Sequence, residues 1–149
     1  MRVVVQRALD AKVEVDGKKV GQIDKGLMLL VSFTQTDTDK EIDWIVNRVL
    51  NLRIFDDEND VMNKSVLDVG GSILSISQFT LYGDCNKGNR PSYLKALRGS
   101  EATVLYDKFN EKLRDKGIIV ETGIFGSDMM VSFTNVGPTT IILEKESNS

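Results

Sequence analysis

A chain of 149 residues is long enough for one domain, burying about 68–70% of the surface exposed by its unfolded form. It contains no histidine, which excludes Ser-His-Asp and Cys-His catalysis and every His-containing zinc site. Its net charge of −3 argues against wrapping long nucleic acid, although a local basic patch can still grip a short single-stranded end. Apolar content of 41% and charged content of 28% fit a water-soluble domain, and no run approaches the roughly 20 apolar residues of a membrane span. The N-terminus lacks the apolar core of a signal peptide. The single cysteine, Cys85, cannot close an intrachain disulfide, so the expected compartment is the reducing cytoplasm, with no membrane partner. Cys85 as a nucleophile would have no histidine to activate it.

Arg2 to Arg7 reads as a first strand, β-branched at Val3-Val4-Val5. Val13 to Val20 is a hairpin around Asp16-Gly17, a favoured two-residue turn. The continuous apolar run Leu27 to Phe33 predicts a central strand covered on both faces. Thr38 and Glu41 form a capping box, and Ile42, Ile45, Val46, Val49 and Leu50 then repeat at helical spacing. Trp44 lies off that stripe, as a partly exposed packing residue or an interface anchor. The acidic run Asp56 to Asp60 lacks the alternating ligands and mid-loop glycine of a calcium loop, so it reads as a solvated turn and no metal is expected.

Next comes Ser75-Ile76-Ser77-Gln78-Phe79-Thr80-Leu81-Tyr82-Gly83-Asp84. It starts as a strand after the Gly70-Gly71 break and then turns polar at Ser77, Gln78 and Thr80. Hydroxyls and an amide at the mouth of a buried strand need partners, so they either brace a loop or face a ligand. The following span, Gly83 to Gly99, carries Lys87, Arg90, Lys95 and Arg98 against a single acid, Asp84. That basic patch is either a solvated loop or a phosphate contact, and its place directly after the polar strand end makes Lys87 and Arg90 candidates for the latter. A second helix presents Ala102, Leu105, Tyr106, Phe109 and Leu113 on one face and ends at Gly117. Ile118 to Glu121 is extended, Met129, Val131 and Phe133 alternate as a half-buried strand, and Thr140 to Leu143 closes the sheet. Residues 144–149 are polar and expected to form a disordered tail.

Thr134-Asn135-Val136-Gly137-Pro138-Thr139-Thr140 is a turn between two strand-like runs. Ser-Gln-Phe-Thr-Leu followed by Asn-x-Gly-Pro-x-Thr, in a chain of this length, resembles the D-aminoacyl-tRNA deacylases. The resemblance extends to Val5-Gln6-Arg7, Arg53-Ile54-Phe55 and Lys87-Gly88-Asn89-Arg90-Pro91-Ser92-Tyr93, and so covers nearly the whole chain. The expected fold is α+β in a single domain, mainly antiparallel β-sheets in a barrel-like core with two main helices.

Without histidine or cofactor, hydrolysis of an aminoacyl ester must rely on backbone donors, hydroxyls, amides, carboxylates, Lys or Arg, or on the substrate itself. Thr80 Oγ has no visible base and is a poor nucleophile. Phe79 and Thr80 are therefore expected to offer backbone N–H groups to the oxyanion, with Ser77 and Gln78 positioning. The resemblance adds that the 2′-hydroxyl of the terminal adenosine assists attack. It further implies a homodimer whose active site crosses subunits, with a cis Gly137-Pro138 bond entering the partner's site and Arg7 holding the turn. Gly137, Pro138, Arg7, Asn135 and Thr140 then belong to substrate binding, at the acceptor end of an aminoacyl-tRNA. L-aminoacyl groups would be rejected, and D-aminoacyl groups and glycine mischarged on tRNA-Ala cleaved. Thr139 and Tyr93 stand where the family usually has Val and Phe. A related family that acts on mischarged L-alanyl-tRNA uses a trans turn, and Thr139 keeps that alternative open. Two others are a non-enzymatic nucleic-acid-binding dimer and a general esterase.

Overall fold

Asp16 and Gly17 both adopt positive φ, 51° and 77°, the geometry that reverses a twisted hairpin in two residues. In this computed structural model, which describes residues 1–147, they join β1 (Arg2–Val15) to β2 (Lys18–Ser32). The expected first strand and hairpin are thus parts of one long ribbon. The chain continues through α1 (Asp39–Asn51), β3 (Phe55–Asp56), β4 (Met62–Lys64) and β5 (Ser72–Ser77), then a 3-10 turn over Phe79–Tyr82. It ends with α2 (Gly99–Asp115), β6 (Val120–Thr122) and β7 (Met130–Glu144).

Five strands form one sheet in the order β6-β5-β2-β1-β7, and β3 pairs with β4 in a small second sheet. The α+β class with two main helices in one domain is as expected, and most strand pairs are antiparallel (β1–β2, β1–β7 and β3–β4), but the barrel-like core is corrected. The sheet is open and mixed, because β2 pairs with β5, and β5 with β6, in parallel. The path from β2 to β5 runs through α1, and a helical crossover brings the chain back in its original direction. β2 occupies the middle, as the run Leu27 to Phe33 predicted.

The capping box at Thr38 forms: Glu41 Oε1 accepts from Thr38 N–H at 3.0 Å, and Lys40 N–H donates to Thr38 Oγ1 at 3.3 Å. It starts α1 so that Ile42, Ile45, Val46, Val49 and Leu50 are all buried. On α2, Tyr106, Phe109 and Leu113 are buried against the same sheet face, which presents Val3, Val5, Leu27, Leu29 and Val31. A second cluster (Ala8, Ala11, Val13, Ile23, Met28, Leu74 and Ile76) lies on the other face under half-buried Leu30, Met129, Val131 and Phe133. Leu30 pairs with Val4, and Val4 with Ile142, so these three share that face, where Ile142 is 65% exposed.

The acidic run forms the β3–β4 turn, with Asp57 Oδ1 accepting from Asn59 N–H at 2.8 Å and Val61 N–H at 3.1 Å. Trp44 is half-buried, under the cations of Arg48 and Lys145. The disordered tail expected from 144 is corrected for its first residues. Glu144 still pairs with Arg2, Lys145 N–H donates to Met1 O at 3.0 Å, and Tyr82 OH donates to Glu146 Oε1 at 3.3 Å. Backbone pairing with β1 continues the sheet past the last apolar residue. Residues 148 and 149 lie outside the described residues.

Candidate active site

β5 runs in parallel with β2 until Ser77 faces Val31, and Gln78 N–H still donates to Val31 O at 2.8 Å. There the pairing stops. Phe79 to Tyr82 turn into a single 3-10 coil, whose first amides have no carbonyl behind them to accept. The N–H groups of Phe79 and Thr80 accordingly have no partner among the described residues. Phe79 and Thr80 are exposed, Ser77 and Gln78 half-exposed. Gln78 Nε2 donates to Thr80 Oγ1, and Ser32 Oγ donates to Phe79 O at 3.4 Å, so side chains fix the turn from both sides.

A cavity of about 530 Å³ opens beside this turn. Ser77, Gln78 and Phe79 line one part of it; Leu97 and Arg98 just before α2, Ala102 in its first turn, and Phe125, Asp128, Met129 and Val131 are also among its lining residues. A wider groove of about 730 Å³ along Lys19 to Asp24 holds none of the sequence-predicted residues. Lys87 and Arg90 are exposed on the loop closed by the Asp84–Ser92 pair and do not line the cavity. Sequence reading missed most of the cavity lining, Arg98, Phe125 and Asp128 among it. Arg98 was one of four similar cations, and Phe125 carried no periodic signal.

The second motif is a bulge. From Asn135 to Thr140 β7 takes five steps while β1 takes two, from Ala8 to Gln6, so three surplus residues are pushed out of the ladder. The Gly137-Pro138 peptide bond within it is cis, and both residues are exposed. Asn135 Oδ1 accepts from Thr139 N–H at 2.8 Å, while Asn135 Nδ2 and Gln6 Nε2 both donate to Thr140 Oγ1 at 3.2 Å. Arg7 is nearly buried; its Nε donates to Val136 O at 3.0 Å and its Nη1 to Ile54 O at 2.9 Å. Asn135, Thr140 and Arg7 thus brace the turn. Within one chain the fold does not bring the two motifs together, since β5 and β7 are separated by β2 and β1, about 14 Å across three strand spacings.

A sequence profile described as D-Tyr-tRNA(Tyr) deacylase matches residues 4–144. The chain belongs to that deacylase family. It is 57% identical over 146 residues to the D-aminoacyl-tRNA deacylase of Anoxybacillus flavithermus, covering 98% of this chain and 100% of the relative. With the enzyme of that name from Brevibacillus brevis it shares 58% over 144 residues, covering 97% and 99%. Among solved structures, a c-Myc DNA unwinding element binding protein superimposes with a TM-score of 0.93 at 39% identity, covering 99% of this chain and 100% of that one. A probable eukaryotic D-amino acid tRNA deacylase has the same fold, with a TM-score of 0.80 at 21% identity and coverage of 95% and 97%. Deacylases of this name hydrolyse the ester joining an amino acid to its tRNA.

Proposed function

We propose that the protein hydrolyses D-aminoacyl-tRNA, and glycine mischarged on tRNA-Ala, to free amino acid and tRNA, as a cytoplasmic homodimer. The observation that carries this reading is the pair of unpartnered N–H groups at Phe79 and Thr80, beside a cavity sized for a nucleoside, in a chain of the deacylase family. An aminoacyl ester is already activated, and two fixed donors aimed at its carbonyl oxygen supply the electrostatic help it needs. Thr80 Oγ1 accepts a hydrogen bond from Gln78 Nε2, which lowers the electron density on the hydroxyl oxygen and supports a role other than nucleophile. Water attacks with help from the 2′-hydroxyl of the terminal adenosine.

The bulge of one chain completes the site of the other, where the carbonyls of Gly137 and Pro138 accept from the substrate's α-amino group. With that group held, an L side chain meets backbone, whereas a D side chain or hydrogen points outward. Two features support this assembly: the separation of the motifs within one chain, and the row Leu30, Val4 and Ile142 on a face that neither helix covers. Lys87 and Arg90 contact phosphates farther along the acceptor strand.

The deciding experiment compares release of D-tyrosine and L-tyrosine from charged tRNA-Tyr by the purified protein. Rapid turnover of the D form alone is expected; equal rates would overturn the reading. The name of the c-Myc element binding protein favours a second reading, a nucleic-acid-binding dimer. That would hold RNA or DNA stoichiometrically without turning over many equivalents of ester.

A further inference from the structure

Of the four cations between Gly83 and Gly99, Arg98 alone lines the cavity. Its guanidinium lies 4.2 Å from the centre of the Phe79 ring and 5.3 Å from that of Tyr93, and the two rings meet edge to face at 5.1 Å. Stacking on aromatic faces fixes the plane of a guanidinium and leaves the donors along its edge free. None of the Arg98 N–H groups has an acceptor among the described residues. The cavity also has a carboxylate, Asp128, but it forms no ion pair with Arg98. Arg98 is the N-cap residue of α2 and no side chain caps that helix, so the first amides of α2 add positive potential beside Gly99 and Ala102, which also line the cavity.

A pre-oriented, unpaired cation at the rim of an otherwise acidic protein is built for an anion. The substrate class carries one nearby. A nucleoside bearing its ester at the Phe79 and Thr80 amides carries a 5′-phosphate on the same ribose, and Arg98, exposed and stacked on the Phe79 ring, is the one cation lining the cavity among the described residues. We propose that Arg98 binds the phosphodiester joining the last two nucleotides of the acceptor end, a role that rests on the deacylase reading. The stacking partner is the side chain of Phe79, so the phosphate grip and the oxyanion donor belong to one residue cluster. Binding of the RNA backbone thereby sets the position of the ester.

The test measures Arg98→Ala and Arg98→Lys on two substrates: D-tyrosyl-tRNA, and D-tyrosyl-adenosine ester, which has no phosphate. For Arg98→Ala the loss in kcat/KM on the tRNA should exceed that on the adenosine ester by about tenfold and reside in KM, as expected for one charge-assisted contact. The slope of log(kcat/KM) against log salt should fall by roughly 0.7, one phosphate on a single strand. Arg98→Lys should retain that slope, because it keeps the charge. Equal losses on both substrates would make Arg98 a support for the Phe79 ring and overturn the phosphate role, and so would no loss on either. A wild-type protein that cleaves neither ester would overturn the deacylase reading itself. An active wild type with an unaltered variant would remove Arg98 alone.

Discussion

Arg7 and Val136 lie 129 residues apart, yet the guanidinium Nε donates to the Val136 carbonyl at 3.0 Å, directly before Gly137. The same side chain reaches Ile54 O at 2.9 Å, so one buried cation fastens the bulge of β7 to the segment after α1. Arg7→Ala leaves both carbonyls without this donor and should cost about 1–3 kcal/mol. Arg7→Lys keeps the charge but lacks the planar fork that spans two acceptors. Thermal unfolding should therefore show partial recovery for Lys over Ala, while kcat/KM on D-tyrosyl-tRNA stays low in both. Full activity in Arg7→Lys would refute a role for the two-point grip.

Gly137 has φ of 121°, and a Cβ there would stand 2.6 Å from Thr139 Oγ1 and 3.0 Å from Arg7 Nη2. Gly137→Ala must move either the turn or its brace, at about 1–3 kcal/mol of backbone strain. Discrimination should fall together with rate, so hydrolysis of L-tyrosyl-tRNA becomes detectable as D-tyrosyl-tRNA hydrolysis drops. A variant that keeps wild-type rate and selectivity would show that the turn does not touch substrate.

Backbone donors and the Thr80 hydroxyl can be separated. Thr80→Ala keeps its N–H and should stay within about tenfold of wild type, whereas a lost oxyanion donor costs about 10²–10³. Phe79→Pro deletes that donor at a helical first position where proline fits, with Phe79→Ala as the control for the ring. Pro should fall well below Ala. If Thr80→Ala instead loses several thousandfold with its fold intact, the hydroxyl is the nucleophile. A substrate ending in 2′-deoxyadenosine should react very slowly.

Lys87 and Arg90 are exposed and outside the cavity. Replacing both with Ala should raise KM for tRNA and flatten its salt dependence, with kcat nearly unchanged. An unchanged KM at low salt would return the loop to simple solvation.

Assembly has its own signature. Activity per chain should fall on dilution below the dimer dissociation constant, and Ile142→Lys, which puts charge on the uncovered face, should shift that fall to higher concentration. Mixed dimers are more direct. With one chain carrying Gly137→Ala and the other Phe79→Pro, cross-subunit sites place both lesions in one site and leave the other whole. The heterodimer should be about half active. A nearly inactive heterodimer would show that each site is built from a single chain.

The sequence by itself determined whatever local chemistry decides. The Asp16-Gly17 reversal, the Thr38–Glu41 box and the buried stripes of α1 and α2 depend on residues within a few positions of each other, and they stand where their patterns put them. Its lack of histidine also confines the chemistry to other groups whatever the fold. Tertiary structure decided the rest. Nothing periodic in β5 marks it as parallel to β2, because that depends on how the chain returns after α1. Glu144 to Glu146 look like a polar tail until β1 supplies backbone partners. Arg98 reads as one of four equivalent loop cations, and only the folding of α2 against β5 sets it on the Phe79 ring at the cavity while leaving Lys87 and Arg90 outside. Contacts between residues far apart in the chain leave no local trace, since each partner satisfies its own neighbourhood equally well without the other.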